Sequence, residues 1–371
     1  MSEFVHIVAL DAPSPPDYGG AIDMYYKVEA LSNLGKKVIL HYFNYKESRT
    51  VTGLEKHCHA IFSYKRHVGW RSASFNTPYI VQSRINRDLI NRLNNDEYPI
   101  ILEGIHCTGL LKYLQNKDRK IVIRLHNDEA RYYSNLARSE NHFFKKAYYS
   151  FESSLLEKYQ RQLPKAIAIA GLSTSDLTYF EDKGFTNLHF VPTFLPWQQI
   201  SSDIGKGTYC LYHGNLTVSE NEQAAVWLME QVFSKCAFPL VIAGKDISNK
   251  LKEKAKNFAN VECINNPSNE RLQELIRLAH INVLPSFNST GVKLKILNAL
   301  FNGRFCISNA AGIIGSAVEN CISLTNNEKE VVDMINHLFS ISFSPDHIVT
   351  REKALSLYNN ETNALKLSAL I

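Results

Sequence analysis

The stretch Pro285–Asn309, PSFNSTGVKLKILNALFNGRFCISN, decides the fold. Pro285 and Ser286 close the apolar run Ile281 to Leu284, which reads as a buried strand. A polar loop, Phe287 to Gly291, follows. Apolar residues then recur at Val292, Leu294, Ile296, Leu297, Leu300 and Phe301, with the roughly 3.6-residue period of a helix lying on a sheet. Gly303 stands where a helix C-cap takes positive φ, and Phe305 to Ile307 restart a strand. A glycine-containing loop ahead of such a helix presents unpaired backbone N–H groups, a natural seat for phosphate. Lys293 and Lys295 add positive charge beside it.

The same alternation of strand and helix runs outward from this unit, which predicts an α/β protein with mostly parallel sheets. Upstream, strands are expected at Phe4 to Leu10, Val38 to Phe43, Ile100 to Leu102, Ile121 to Leu125, Ala166 to Ala170 and His189 to Val191. Ala21 to Leu34 reads as a helix stopped by Gly35. The stretch VPTFLPWQQISSDIGKG, Val191 to Gly207, loses periodicity and marks a boundary. A second set follows, with strands at Tyr209 to Tyr212, Leu240 to Ala243, Val261 to Ile264, Ile281 to Leu284 and Phe305 to Ile307. Helices are expected at Glu220 to Val232 and Glu270 to Leu278. The expected organisation is a Rossmann-like domain over 1–195, a second over 205–345, and a helical tail over 346–371 that could cross back to the first. Two such domains would face each other across a cleft, with ligands at the carboxyl ends of the strands.

Composition narrows the class. At 371 residues with 45% hydrophobic content, the chain has room for two cores. A net charge of +5 is too mild to imply nucleic acid, and none is expected as a partner. The seven cysteines form no C-x-x-C pair and read as thiols in a reducing compartment. The start, MSEFVHIVALDAPS, lacks a positive leader region and reads as a first strand. No window approaches the ~20 apolar residues that span a bilayer. A cytoplasmic location is expected, with the inner membrane face as an alternative.

Several of these segments together resemble the retaining GT-B glycosyltransferases of the family-4 type, the glycosyl transferases group 1. The family pattern is Pro-Ser, a loop, Glu-x-Gly, a helix with a second Glu followed by Ala, then Gly and a strand. Pro285, Ser286, Gly291, Ala299 and Gly303 match, whereas Thr290 and Asn298 stand in place of the two glutamates. The loop DAPSPPDYGG resembles the family's N-terminal Pro-x-x-Gly-Gly, with Gly19 and Gly20 ahead of a helix. His126 follows the strand Ile121 to Leu125, where family members carry a histidine near the reacting sugar. YCLYHGN resembles the start of the family's second domain, but Asn215 follows Gly214 where many members have Arg, and the expected Lys is missing too. PLVIAGKDI resembles the next element and places Lys245 at a strand end. NPSNERLQEL, Asn266 to Leu275, resembles the segment that covers the nucleobase.

The resemblance implies transfer of a sugar from a nucleotide-sugar donor to a saccharide or lipid-linked saccharide acceptor, with retention of configuration at the anomeric carbon. It implies no cofactor beyond the nucleotide-sugar and no metal. His126 would be the catalytic candidate. Gly19, Gly20 and Glu103 would line the acceptor side, with His106 at a similar edge. Gly214, Asn215, Lys245, Thr290, Gly291, Lys293, Lys295 and Asn298 would hold the donor. Ordinary alternatives stand beside each: a capping histidine, a solvated loop lysine, a tight strand–helix turn. Ser63 to Arg92 and Arg131 to Arg161 mix bases with aromatics. They read either as a surface for anionic lipid or a lipid diphosphate, or as helices with an aromatic core and a solvated face. Two other functions remain open: a GT-B protein that has lost catalysis and binds a glycosyltransferase partner, and a nucleotide-sugar 2-epimerase.

Overall fold

The computed structural model describes residues 2–371 except 45–48, 70, 71, 73, 141 and 289, and, at 139, the backbone only. Trp70 and Arg71, part of the basic–aromatic segment above, lie outside the described residues. The chain divides into two compact units, Met1–Pro196 with Tyr358–Ile371, and Trp197–Leu357.

The first unit is built on seven strands: β1 (Phe4–Ala9), β2 (Lys37–Asn44), β3 (Cys58–Lys65), β4 (Ile100–Glu103), β5 (Ile121–Leu125), β6 (Ala168–Gly171) and β7 (Leu188–Phe190). They form one parallel sheet in the order β3-β2-β1-β4-β5-β6-β7. Its inner strands are near-continuous apolar runs because helices cover both faces, and Val5, Ile7, Ile101, Val122 and Ile123 are wholly buried. The strand order reverses between β1 and β4, which opens a crevice at their carboxyl ends. Strand β3 was not expected. It is an edge strand whose residues are mostly half-buried or exposed, so His59, Ser63 and Lys65 interrupt the apolar pattern.

The second unit carries β8 (Cys210–Asn215), β9 (Leu240–Lys245), β10 (Val261–Asn265), β11 (Ile281–Val283), β12 (Phe305–Ser308) and β13 (Ser323–Leu324). These are also parallel, in the order β10-β9-β8-β11-β12-β13. The order reverses between β8 and β11, so this unit has its own crevice at the carboxyl ends of those strands.

Three sequence expectations need correction. The segment expected as one helix from Glu220 to Val232 is an α-helix over Ser219–Trp227 that continues as a π turn over Leu228–Phe233. Gly303 has φ −102°, so it is not a left-handed cap. Glycine is needed there for closeness: a Cβ would stand 2.4 Å from Asn282 Nδ2 and 3.0 Å from the carbonyls of Ala299 and Ile276. The tail is not one element. Its helix Pro345–Leu355 belongs to the second unit, where buried Arg351 donates to the carbonyls of Leu300 (2.9 Å) and Gly303 (2.6 Å) and to Ser202 Oγ (2.9 Å). That guanidinium satisfies carbonyls at the end of the Leu294–Asn302 helix. Only the last helix, Asn360–Ser368, packs on the first unit, where Ala364, Leu367 and Ile371 join the core with Met24, Val28 and Leu31.

Candidate functional site

In the second unit, the decisive segment folds as its period demands. Leu294–Asn302 is a helix whose residues Ile296 to Asn302 are buried. Ahead of it, Gly291 has φ +68°, a conformation that costs a side chain about 1–2 kcal/mol. The loop before it is tied down by short polar links. Thr290 N and Oγ1 both donate to Asn288 Oδ1 at 2.8 Å, and Asn288 Nδ2 donates to Glu220 Oε2 at 3.0 Å. Asn309 grips Ser286 from both sides, accepting from its N–H at 3.0 Å and donating to its carbonyl at 2.8 Å.

The result is a cavity of about 160 Å³ lined by Val218, Glu220, Asn221, Pro285, Ser286, Phe287, Lys293 and Lys295. Lys293 Nζ donates to the Thr290 carbonyl. Lys295 Nζ donates to Asn221 Oδ1 at 3.1 Å and lies 4.9 Å from the centre of the Tyr212 ring. Both partners are neutral. Burial, then the neighbouring Lys293 charge, pull the Lys295 ammonium down to about 8. His213, at the end of β8, is buried with Nε2 unpartnered among the described residues, and burial followed by the Lys295 charge lowers it to about 3. It therefore stays neutral. Gly214 and Asn215 are the last residues of β8, which runs past the expected end at Tyr212, and the Asn215 carbonyl accepts Asn221 Nδ2 at 2.9 Å.

Of the expected donor residues only Lys293 and Lys295 line this cavity; Gly214, Asn215, Lys245, Thr290, Gly291 and Asn298 stand outside its lining. Lys245 ends β9 and is exposed, outside the lining of the cavity. Asn298 is 6% exposed and its Oδ1 accepts Asn302 Nδ2 at 2.7 Å, so its acceptor is taken within the helix. Asn221, which orients Lys295, was missed. Its position behind Glu220 at a helix start was visible, but nothing in the sequence pointed it at Lys295.

In the first unit, a chain of buried charges sits at the carboxyl ends of β4 and β5. Glu103 ends β4 and is fully buried. Lys27 Nζ lies 2.7 Å from Glu103 Oε1 and 3.0 Å from Asp23 Oδ2. Arg124, in the middle of β5's apolar run, pairs with Asp23 through Nη2–Oδ1 at 2.7 Å and Nε–Oδ2 at 3.1 Å. It also donates to the carbonyls of Val191 (2.5 Å) and Pro192 (3.0 Å). Burial alone would raise both carboxyls, but Arg124 and Lys27 hold Asp23 well below the usual carboxylate range, and Lys27 with His126 hold Glu103 down.

His126 lies just past β5 and its Nε2 is 2.8 Å from Glu103 Oε2. An ionised carboxylate only accepts, so the ring donates from Nε2, and in the neutral imidazole Nδ1 then carries the lone pair. That Nδ1 is buried and has no partner among the described residues. A Cβ at Gly20 would stand 3.9 Å from it and 3.0 Å from the Tyr18 ring, so the glycine keeps this spot open. Gly19 and Gly20 open the helix Gly19–Asn33 that carries Asp23 and Lys27. His106 also has an unpartnered Nδ1, and burial followed by Arg84 holds its pKa well below the ordinary value. Asp128 caps the next helix by accepting Arg131 N at 3.3 Å, while burial and then Asp128 push Glu129 up to about 8.

Sequence reading thus found His126 and Glu103 but not Asp23, Lys27 or Arg124. The signals were an Asp–Lys pair at i, i+4 inside an otherwise apolar helix face and an arginine inside IVIRL. Asp23, Glu103 and His126 offer ligand atoms within 4.8 Å of one another, as a metal site would. Lys27 already places its ammonium against both carboxylates, so a cation there would meet a charge of its own sign.

Comparisons with known proteins agree with this architecture. Over 356 residues the chain is 28% identical to an uncharacterized 44.6 kDa protein in the cps region of Klebsiella pneumoniae, covering 91% of each. Its fold is similar to that of sucrose-phosphate synthase from Thermosynechococcus elongatus, with a TM-score of 0.70 at 14% identity over 100% of this chain and 98% of that one. It is likewise similar to Anabaena HepE in complex with UDP and glucose, with a TM-score of 0.66 at 10% identity over 99% and 98% of the two chains. Residues 207–340, which contain the lysine cavity, match the family Glycosyl transferases group 1. The chain therefore has the GT-B fold, and the likeness to glycosyl transferases group 1 falls on its second unit.

Proposed function

We propose that this chain is a glycosyltransferase that moves a sugar from a nucleotide-sugar donor to a saccharide or lipid-linked saccharide acceptor, with retention, in the building of a surface polysaccharide. The observation that carries the reading is the cavity of the second unit, where half-buried Lys295 donates to neutral Asn221 beside Lys293, with Glu220 as the one carboxylate of the lining. Two desolvated ammonium groups beside a single carboxylate leave a net positive charge that an arriving anion would offset. A nucleoside diphosphate supplies that anion, and as a leaving group it gains charge during transfer. The two lysines and the first backbone N–H groups of the Leu294–Asn302 helix would offset that charge. In the first unit, His126 Nδ1 would accept a hydrogen bond from a sugar hydroxyl, with Glu103 fixing the ring. The cations come from the chain itself, so no metal is required. The cps-region relative supports the polysaccharide context.

One observation favours a second reading, a binding partner that no longer catalyses. The residues in the places of the family's two glutamates, Thr290 and Asn298, are both engaged within the chain, with Asn288 and Asn302. Calorimetric titration with UDP and GDP, with and without EDTA, separates the two readings when combined with a turnover assay. Micromolar binding of one nucleotide is expected, unaffected by EDTA. Lys293→Ala should weaken it at least about tenfold, whereas exposed Lys245→Ala should change it no more than about threefold. Binding without turnover would favour the partner reading. No binding of UDP, GDP, dTDP or CMP would overturn the donor site.

A further inference from the structure

In the first unit the helix Phe143–Arg161 begins with two turns that face solvent. Phe143 and Phe144 are each 75% exposed, and Phe75, which meets the same helix further along at Phe151, is 87% exposed. Soluble surfaces scatter single apolar residues, but bulky aromatics rarely gather in the open without a partner. Here they gather. Phe143 and Phe144 meet edge to face at 5.7 Å, and Phe75 meets Phe151 in the same way at 6.2 Å. Phe144, Phe151 and Lys158 recur every seven residues and so share one side of the helix. The rear of the helix is secured to the unit: Leu155, Leu156 and Gln160 are buried, and Gln160 Oε1 accepts Ala130 N at 3.2 Å. The front is therefore a firmly mounted aromatic tip and not a frayed end.

Charge identifies what would cover it. Lys145 and Lys146 follow the two rings in the same helical turn, both exposed themselves. Glu152, a carboxylate of this helix, is turned inward and accepts Tyr79 N at 2.8 Å. A second copy of the same face would bring lysines against lysines. An anionic bilayer instead meets the ammonium groups with phosphates and takes the rings into its interfacial zone. We propose that this tip, formed by Phe143, Phe144, Lys145 and Lys146, docks the protein on an anionic lipid surface. No helix among the described residues is long and apolar enough to cross a membrane, so the attachment is peripheral. The docking surface lies in the first unit and does not depend on the donor site of the second.

The test is co-sedimentation of the full chain with vesicles of phosphatidylcholine alone or mixed with phosphatidylglycerol. Binding is expected only to the mixed vesicles and should weaken as salt rises. F143S/F144S and K145E/K146E should each weaken it at least about tenfold while leaving the circular dichroism spectrum unchanged. All four side chains are exposed, so these variants are expected to fold. Failure to bind mixed vesicles, or equal binding by either variant, would overturn the proposal. So would a dimer of the wild-type chain that dissociates in F143S/F144S without any vesicle binding, which would assign the face to a second copy.

Discussion

Replacing Lys295 by methionine should stabilise the ligand-free protein while removing nucleotide binding. The ammonium is pulled from the ordinary 10.5 to about 8, chiefly by burial. At about 1.4 kcal/mol per pH unit, that is a cost of roughly 3 kcal/mol for folding with the charge in place. Methionine keeps the length of the side chain and drops the charge. It also loses the hydrogen bond to Asn221 and the contact with the Tyr212 ring, together worth about 1–2 kcal/mol. The expected net gain near neutral pH is about 1 kcal/mol.

The pH dependence carries the sharper test. Below about pH 8 Lys295 is protonated in both folded and unfolded chains, and the wild type bears the full cost. Between about 8 and 10.5 the folded chain gives up its proton first, so the unfolded chain binds more protons and wild-type stability rises with pH. The gap between wild type and Lys295→Met should therefore move in the wild type's favour by roughly 2–3 kcal/mol across that window. Urea unfolding followed by the fluorescence of Trp197 and Trp227, both in the second unit, reads this as a double difference in which other titrations cancel. Added UDP should raise the stability of the wild type and leave the variant unmoved. A gap that stays constant from neutral to alkaline pH would refute the claim that this lysine is held charged against its surroundings. Equal stabilisation of both proteins by UDP would refute its role in binding.

Two further outcomes follow from the geometry. Glu103→Gln leaves buried Lys27 with one carboxylate in place of two and unfixes the His126 ring, so it should cost roughly 3 kcal/mol in thermal or urea unfolding and lower turnover without altering the affinity for UDP; unchanged turnover would remove His126 from the reaction. Gly291→Ala forces a side chain into φ +68°, which should cost about 1–2 kcal/mol and weaken UDP binding by misplacing the loop ahead of Lys293, whereas wild-type affinity in this variant would show that the loop does not shape the site.

The fold was legible where burial is complete on both faces. IVIRL, PLVIA and INVL read as strands because each is an apolar run between turn residues, and all became central strands. The edge strand β3 was hidden because one side of it meets solvent and its sequence mixes His, Ser and Lys with apolar residues. Gly303 was read as a conformational glycine, but its reason is a side chain from another strand, Asn282, and no local pattern carries that. In the site, types were legible and pairings were not. Lys293 and Lys295 advertise charge ahead of a helix, but only the fold reveals that Lys295 points into a cavity and that Lys245, one strand beyond β8, lies outside the cavity's lining. Asp23, Lys27 and Arg124 come from a helix and a strand about a hundred positions apart, a distance at which sequence spacing says nothing.

The two units share a strand topology and treat the cations near its crevice in opposite ways. In each, the strand order reverses between the first and fourth strands, and charge gathers at that crevice. In the first unit the account closes internally, because Lys27 and Arg124 are matched by Asp23 and Glu103 within ion-pair distance. Such an assembly holds elements in place and has no further need of an anion. What it leaves over is a lone pair on His126 Nδ1, suited to a neutral hydroxyl. In the second unit Lys295 has an amide and a phenol ring for company, and among the described residues no carboxylate lies within ion-pair distance. Lys293 and Lys295 share the single carboxylate of the lining, Glu220, so the cavity keeps a net positive charge. On the function proposed above, a diphosphate would fit one crevice and a sugar hydroxyl the other, a division of labour that would follow from which charges the chain has already neutralised.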